Sequence, residues 1–199
     1  MPTAKFRPGD PRDIQAAKWE IEFEDVFHFK NFYKVAWETL VEQGWIDSRG
    51  GGTNWEHFYL EKTFGNGNKE HRMWWRMMMI PNKSPYVRYL MKVDYLTLNM
   101  ASAETMYQGQ KFKTWKGDVI VRCEARVQLD YKNAWGKNRF TKLFDEFFRK
   151  RIYKDYYEAH KKRLWKLSYD FNDELKKYLK IKTPGKATKP FRSERGVPS

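Results

Sequence analysis

Four histidines, one cysteine and scattered carboxylates are the residues of this chain with chemistry to offer, and their spacing decides what each can do. His28, His57, His71 and His160 fall in four separate stretches with no paired spacing, and Cys123 has no second cysteine, so the clustered ligands of a metal centre are missing. His57 and His71 sit on the two arms of an expected hairpin and are the pair that could face each other; a satisfied structural role is expected of both. Cys123 alternates with valines on an apolar face, as a small core residue does and a nucleophile does not. No Gly-x-Ser-x-Gly elbow occurs, and "GNGN" and "RGGG" lack the Lys-Ser/Thr and the strand-to-helix context of a phosphate loop. Asp94 and Asp130 each precede a tyrosine near a strand end, a weak basis for shared acid–base work. The residues point to a protein that is not an enzyme and needs no metal or cofactor.

Binding chemistry is better represented. In the strand 71–80, Met73, Trp75, Met77 and Met79 share one apolar face, while Arg72, Trp74 and Arg76 share the other. A flat indole between two guanidinium groups can stack on a ring while the cations reach phosphates or carboxylates. The same trio suits a protein interface, where Trp and Arg are favoured anchors, and arginine stems also shield a Trp without binding anything. Charge adds a second candidate. Residues 1–131 hold 19 Lys and Arg against 17 Asp and Glu, whereas residues 132–199 hold 20 against 8. That asymmetry suggests an acidic partner. Its carriers are "RKRIYK" with Arg149, Lys150 and Lys154, "HKKRLWK" with Lys161, Lys162 and Lys166, and a tail with Lys182, Lys186, Lys189, Arg192 and Arg195. Phosphate contacts by such clusters would be strongly salt-dependent. No signature of a sequence-reading nucleic-acid domain accompanies them.

The elements that must position these residues follow from periodicity. Residues 1–16, with three prolines, read as an extended arm. "AKWEIEFEDVF" alternates Trp19, Ile21 and Phe23 inward, a half-buried strand. Phe29, Phe32, Tyr33, Ala36, Trp37 and Leu40 then recur at helical spacing, with Gly44 placed to end the helix. From Asn54 to Tyr131 strand follows strand, with turns at "GNGN" (65–68), at Pro81–Pro85 and near Gly109. Val87 to Tyr95 and Val119 to Leu129 alternate most cleanly; Arg122, Glu124, Arg126 and Gln128 point outward. A long helical pattern covers 139–180, and "SYDFND" (168–173) is expected to break it, because Ser, Asp and Asn compete for backbone hydrogen bonds. Residues 182–199 are too polar and proline-rich to fold alone.

This order predicts an α+β domain over residues 17–181: a curved antiparallel sheet of about six strands packed on an N-terminal helix and a long C-terminal helix, similar at a coarse level to helix-grip carriers. No run of about 18 apolar residues exists, "MPTAKFRPGDPRD" has no apolar signal region, and a lone cysteine suits a reducing compartment. A cytoplasmic or virion location is the expectation.

The segment "MYQGQKFKTWKGDVIVRCEARVQLDY", with Trp135 shortly after, resembles uncharacterised proteins of small archaeal and virus-like genomes, in which G-x-K-x-x-x-x-K-G-D/E precedes a strand ending in Asp-Tyr. Gly109, Lys111, Lys116, Gly117, Asp118, Asp130 and Tyr131 match that pattern, and the resemblance runs from about residue 17 to 180. It implies no established activity. The leading expectation is a structural component of a large assembly, docking on other protein subunits through the basic helix, the arms and the Arg72–Trp74–Arg76 face. The alternatives are a module binding nucleic acid or another polyanion without sequence specificity, and a START-like carrier of an apolar ligand.

Overall fold

The structure is a computed structural model that describes residues 4–7, 9–107, 110–134 and 154–181. Six strands form one open antiparallel sheet: β1 (Asp13–Phe27), β2 (Ile46–Asp47), β3 (Glu56–Thr63), β4 (Lys69–Met79), β5 (Val87–Tyr107) and β6 (Gln110–Leu129). Strands β3 to β6 pair in chain order as an antiparallel meander. β1 returns to pair with β6, placing Trp19 opposite Cys123 and Ile21 opposite Val121. The sheet therefore ends at β1 on one side, while β2 and β3 share the outer edge of β4 on the other.

Among the described residues two helices, α1 (Phe29–Glu42) and α2 (Lys154–Tyr178), cover one face of this sheet. His28 caps α1, its Nδ1 accepting from the Asn31 amide at 3.2 Å. The helix ends in a Schellman turn: Gly44 at φ 84° donates to Val41 and Trp45 donates to Leu40, so orphan carbonyls are satisfied where only glycine turns cheaply. Trp45 and Leu40 are both buried beneath that turn.

The covered face carries every residue that alternation assigns to it on β4, β5 and β6, from Met73, Trp75 and Met77 through Tyr89, Val93 and Tyr95 to Cys123 and Val127. α1 packs aromatic rings onto it, Tyr33 edge-on to Trp75 at 5.0 Å and Phe32 edge-on to Tyr95 at 6.2 Å. α2 covers the β1–β6 side through Leu164, Phe171 and Leu175. Full burial of a large apolar side chain contributes on the order of 2 kcal/mol, so this layer holds the domain together.

The structure departs from the expected pattern in two elements. α2 runs without a break through 168–173. Ser168 faces inward, where its hydroxyl accepts from the Trp19 indole N–H at 2.9 Å and lies 3.7 Å from Cys123 Sγ. That tertiary partner removes the competition for backbone bonds on which a break would depend. At the other end β1 begins at Asp13, inside the stretch read as an arm, because Asp13 and Ile14 continue the ladder opposite Gln128 and Val127. A bulge between Gln15 and Ala17 hides this start from a strict two-residue count.

Candidate interaction surface

Among the described residues no helix lies over the second face of the sheet, and cross-strand register lays its side chains out in rows. One row reads Phe58, Trp74, Asp94, Arg122 and Glu20 from β3 to β1; the next reads Leu60, Arg72, Leu96, Ile120 and Glu22. Beyond them come Leu98, Asp118 and Glu24. An apolar strip thus crosses β3, β4, β5 and β6 and passes into a carboxylate corner at the β1 edge. Trp74 is 46% exposed and Leu60 45%, although an indole of this size ordinarily finds cover.

The three residues singled out on β4 keep their expected face but not their expected freedom. Trp74 stacks on Phe58 with centroids 4.4 Å apart, and the Arg76 guanidinium lies 5.8 Å from its ring. Arg76 donates to Asp94 at 2.6 Å and to the Trp75 carbonyl at 2.8 Å, and Arg72 pairs with Glu70 at 2.7 Å. Arg122 is held likewise by both oxygens of Glu20, and Lys92 by Glu124. Each of these cations already has a carboxylate, so the Trp74 region offers apolar area ringed by neutralised pairs.

The basic clusters belong to another surface. Lys154, Lys162 and Lys166 are exposed on α2, which lies over the opposite face of the sheet, and Lys161 beside them is half-buried. Lys161 makes a long contact with Glu158 at 3.9 Å, and no ion pair joins Lys154, Lys162 or Lys166 among the described residues. Trp165, outside the residues that the sequence marks for binding, stands between them 50% exposed, its ring tilted against Tyr169 at 4.4 Å. Its position in "RLWK", off the apolar stripe, was the available signal. Arg149, Lys150, Lys182, Lys186, Lys189, Arg192 and Arg195 lie outside the described residues.

The N-terminal residues close the other end of the open face. The Ala4 amide donates to the Ser48 carbonyl at 2.7 Å, Phe6 lies under Lys92 and Arg126, and Gln128 donates to the Lys5 carbonyl at 3.0 Å. Gln128 is therefore buried despite its outward position, and Ala4 covers Met78 and Leu90 in a small second core. Burial raises the Asp13 carboxyl above its ordinary range, against the Arg7 amide and Arg126, which act to lower it. Between these residues and Arg76 lies a depression of about 350 Å³ lined also by Ser48 and His57.

Ser48 and His57 at the wall of that depression meet the buried Asp47, a constellation spacing did not foretell. Asp47 Oδ1 lies 2.9 Å and Ser48 Oγ 3.3 Å from the same His57 Nε2. A serine–histidine relay needs its carboxylate on the other ring nitrogen, so this arrangement anchors the loop instead. Burial acts to raise the Asp47 carboxyl, but the Arg49 amide and His57 outweigh it and the net shift is downward. His71 lies elsewhere, opposite Glu61 on β3, stacked on Phe29 at 4.4 Å and bonded to Thr97 Oγ1 at 2.8 Å; it does not face His57. Asp94 and Asp130 also part company. Asp94 pairs across from Arg122, and Asp130 lies eight residues beyond, about 26 Å at strand rise.

The space between sheet and helices is occupied by side chains: Trp75, Tyr89, Met91 and Phe171 are each at most 1% exposed. Cys123 sits among them, and burial pushes its thiol up to about 12. Among the described residues no three His, Cys, Asp or Glu converge to hold a metal, and no helix is long and apolar enough to cross a membrane. No protein-family model matches the chain, and no curated protein matches it.

Proposed function

We propose that the protein is a non-enzymatic structural component of a macromolecular assembly and docks on protein partners through the open face of its sheet. The observation that carries this reading is the Phe58–Trp74 stack and the Leu60–Leu96–Ile120 strip, left partly exposed while every arginine near them is paired within the chain. Apolar area with an indole near its centre and a polar rim of satisfied charges is the composition of a protein interface. A polyanion site needs free cations, and the β4 arginines are not free.

A second reading has its own observation. Lys162 and Lys166 are exposed on α2 together with Trp165, a cation-and-ring surface of the kind that tracks a phosphate backbone without reading bases. Carriage of an apolar ligand between sheet and helix has least support, since large side chains fill that space.

Native purification after nuclease treatment separates the two leading readings. The docking account expects partner subunits to copurify and the complex to survive nuclease. Recovery of nucleic acid, released as salt rises and leaving a bare monomer after nuclease, would transfer the function to α2.

A further inference from the structure

The two surfaces just described differ in charge and lie on opposite sides of the domain. On the open face, Glu24 of β1 stands directly across from Asp118 of β6, with Glu22 one row away. Like charges in register oppose each other across a strand pair. Lys116 is the nearest cation on this face by register, opposite Val26, and no ion pair joins it to these carboxylates among the described residues. Glu20 is already taken by Arg122, which also attracts Glu22 without pairing with it. The corner is thus acidic in a chain whose net charge is +14.

On α2, "KKRLWK" puts four cations and an exposed indole within six residues, 161–166. The sheet lies between this segment and the carboxylate corner, so the two cannot meet within one chain. They can meet between copies.

We propose that α2 of one copy docks on the open sheet face of the next, with Trp165 seated on the Leu96–Ile120 strip and Lys162 and Lys166 reaching Glu22 and Glu24. This rests on the docking reading of that face and names its partner as a second copy of the chain. Face-to-face pairing would offer the acidic corner arginines already paired within their own chain, Arg72, Arg76 and Arg122, whereas helix-to-face pairing brings it Lys162 and Lys166, which no ion pair holds among the described residues. Because the two patches are different and lie on opposite sides, the contact is heterologous. It propagates, giving a ring if the rotation closes and an open filament if it does not. The charged part of the contact weakens as salt shortens the screening length below about 10 Å.

The test is light scattering on size-exclusion fractions of nuclease-treated full-length protein over a concentration series at low salt. The wild type is expected to grow in mass with concentration. A helix variant (Lys162→Glu with Lys166→Glu) and a face variant (Glu22→Lys with Glu24→Lys) are each expected to assemble about 100-fold more weakly, the effect of placing like charges across a contact. All four sites are exposed, so the variants should melt like the wild type. A chain carrying both sets has opposite charges again and is expected to recover assembly. Failure of that recovery overturns the proposal, as does a wild type that stays monomeric throughout the series. Should the helix variant assemble normally while Trp74→Ala does not, the helix is not the occupant, but the docking reading of the sheet face stands. Loss of assembly on removing residues 182–199, with the helix variant unaffected, would assign the face to the tail and likewise overturn the proposal.

Discussion

Trp74 and Trp75 are neighbours on one strand and live in different molecules, so to speak: one is 46% exposed, the other fully buried. Trp75 is enclosed by Tyr33, Trp55 and Tyr95, and its surroundings are set by volume and ring geometry. Among the described residues Trp74 meets one ring, Phe58, and a guanidinium already committed to Asp94. The inner face of the sheet is specified by what fills it. The outer face is specified by who stands across the strand. A side chain on the first face answers to folding, and one on the second, such as Trp74, keeps much of its surface exposed.

The largest effect that tests this contrast is on Trp75. Trp75→Ala should cost about 3–5 kcal/mol by urea unfolding, the usual range for emptying a large aromatic site. Trp74→Ala should cost no more than about 1 kcal/mol, the worth of an aromatic pair. Equal costs would dissolve the distinction between the faces.

Gly117 comes next. A Cβ there would lie 2.7 Å from the Leu98 carbonyl oxygen and 3.0 Å from Met100 Cα, where β5 bulges between Leu98 and Ala101. Gly117→Ala should therefore destabilise by about 1–3 kcal/mol through overpacking against backbone, with a lower thermal midpoint as the readout. An unchanged midpoint would mean that the bulge yields.

Titration provides a smaller signal. Burial depresses the imidazole pKa of His71 and of His160, the latter further lowered by Arg163. A base with a depressed folded pKa stabilises the fold above the unfolded value near 6.5, and that stability is lost as pH falls towards and through the folded value. The urea midpoint should hold from pH 8 to about 7 and then decline below about 6.5, with a shallower decline in His160→Gln. A midpoint rising with acid over that range would contradict the burial of both rings.

Tyr95→Phe should have the smallest effect. Its hydroxyl is buried without a hydrogen-bond partner among the described residues, and burial drives its pKa well above the ordinary phenol value. Removing an unsatisfied group is neutral or mildly stabilising. A loss above about 1 kcal/mol would reveal a partner for that oxygen.

Alternation made the inner face legible: Met73, Trp75, Val93, Tyr95, Val121 and Cys123 were assigned from a two-residue period and are buried. Burial in a sheet follows from backbone geometry, which local sequence carries. The helix boundary at Gly44 was readable for the same reason. What could not be read was pairing at long range. Arg76 finds Asp94 eighteen residues away, Glu20 finds Arg122 across the β1–β6 pairing, and Ser168 finds Trp19 from the far end of the chain. None of these leaves a mark on its own neighbourhood. Hence arginines that look available in sequence are satisfied in the fold, and a serine that looks like a helix breaker is held in a helix. Trp165 was overlooked because a single aromatic off a helix stripe has no period to reveal it.

The central claim, that the open sheet face is a docking surface and not a part of folding, is tested most directly by one variant measured two ways. Trp74→Ala should keep its thermal midpoint within a few degrees of the wild type while the mass of the nuclease-treated complex, from light scattering, falls to that of the 24.2 kDa chain. A variant that assembles as the wild type does, or one that loses assembly only because it unfolds, would contradict the account.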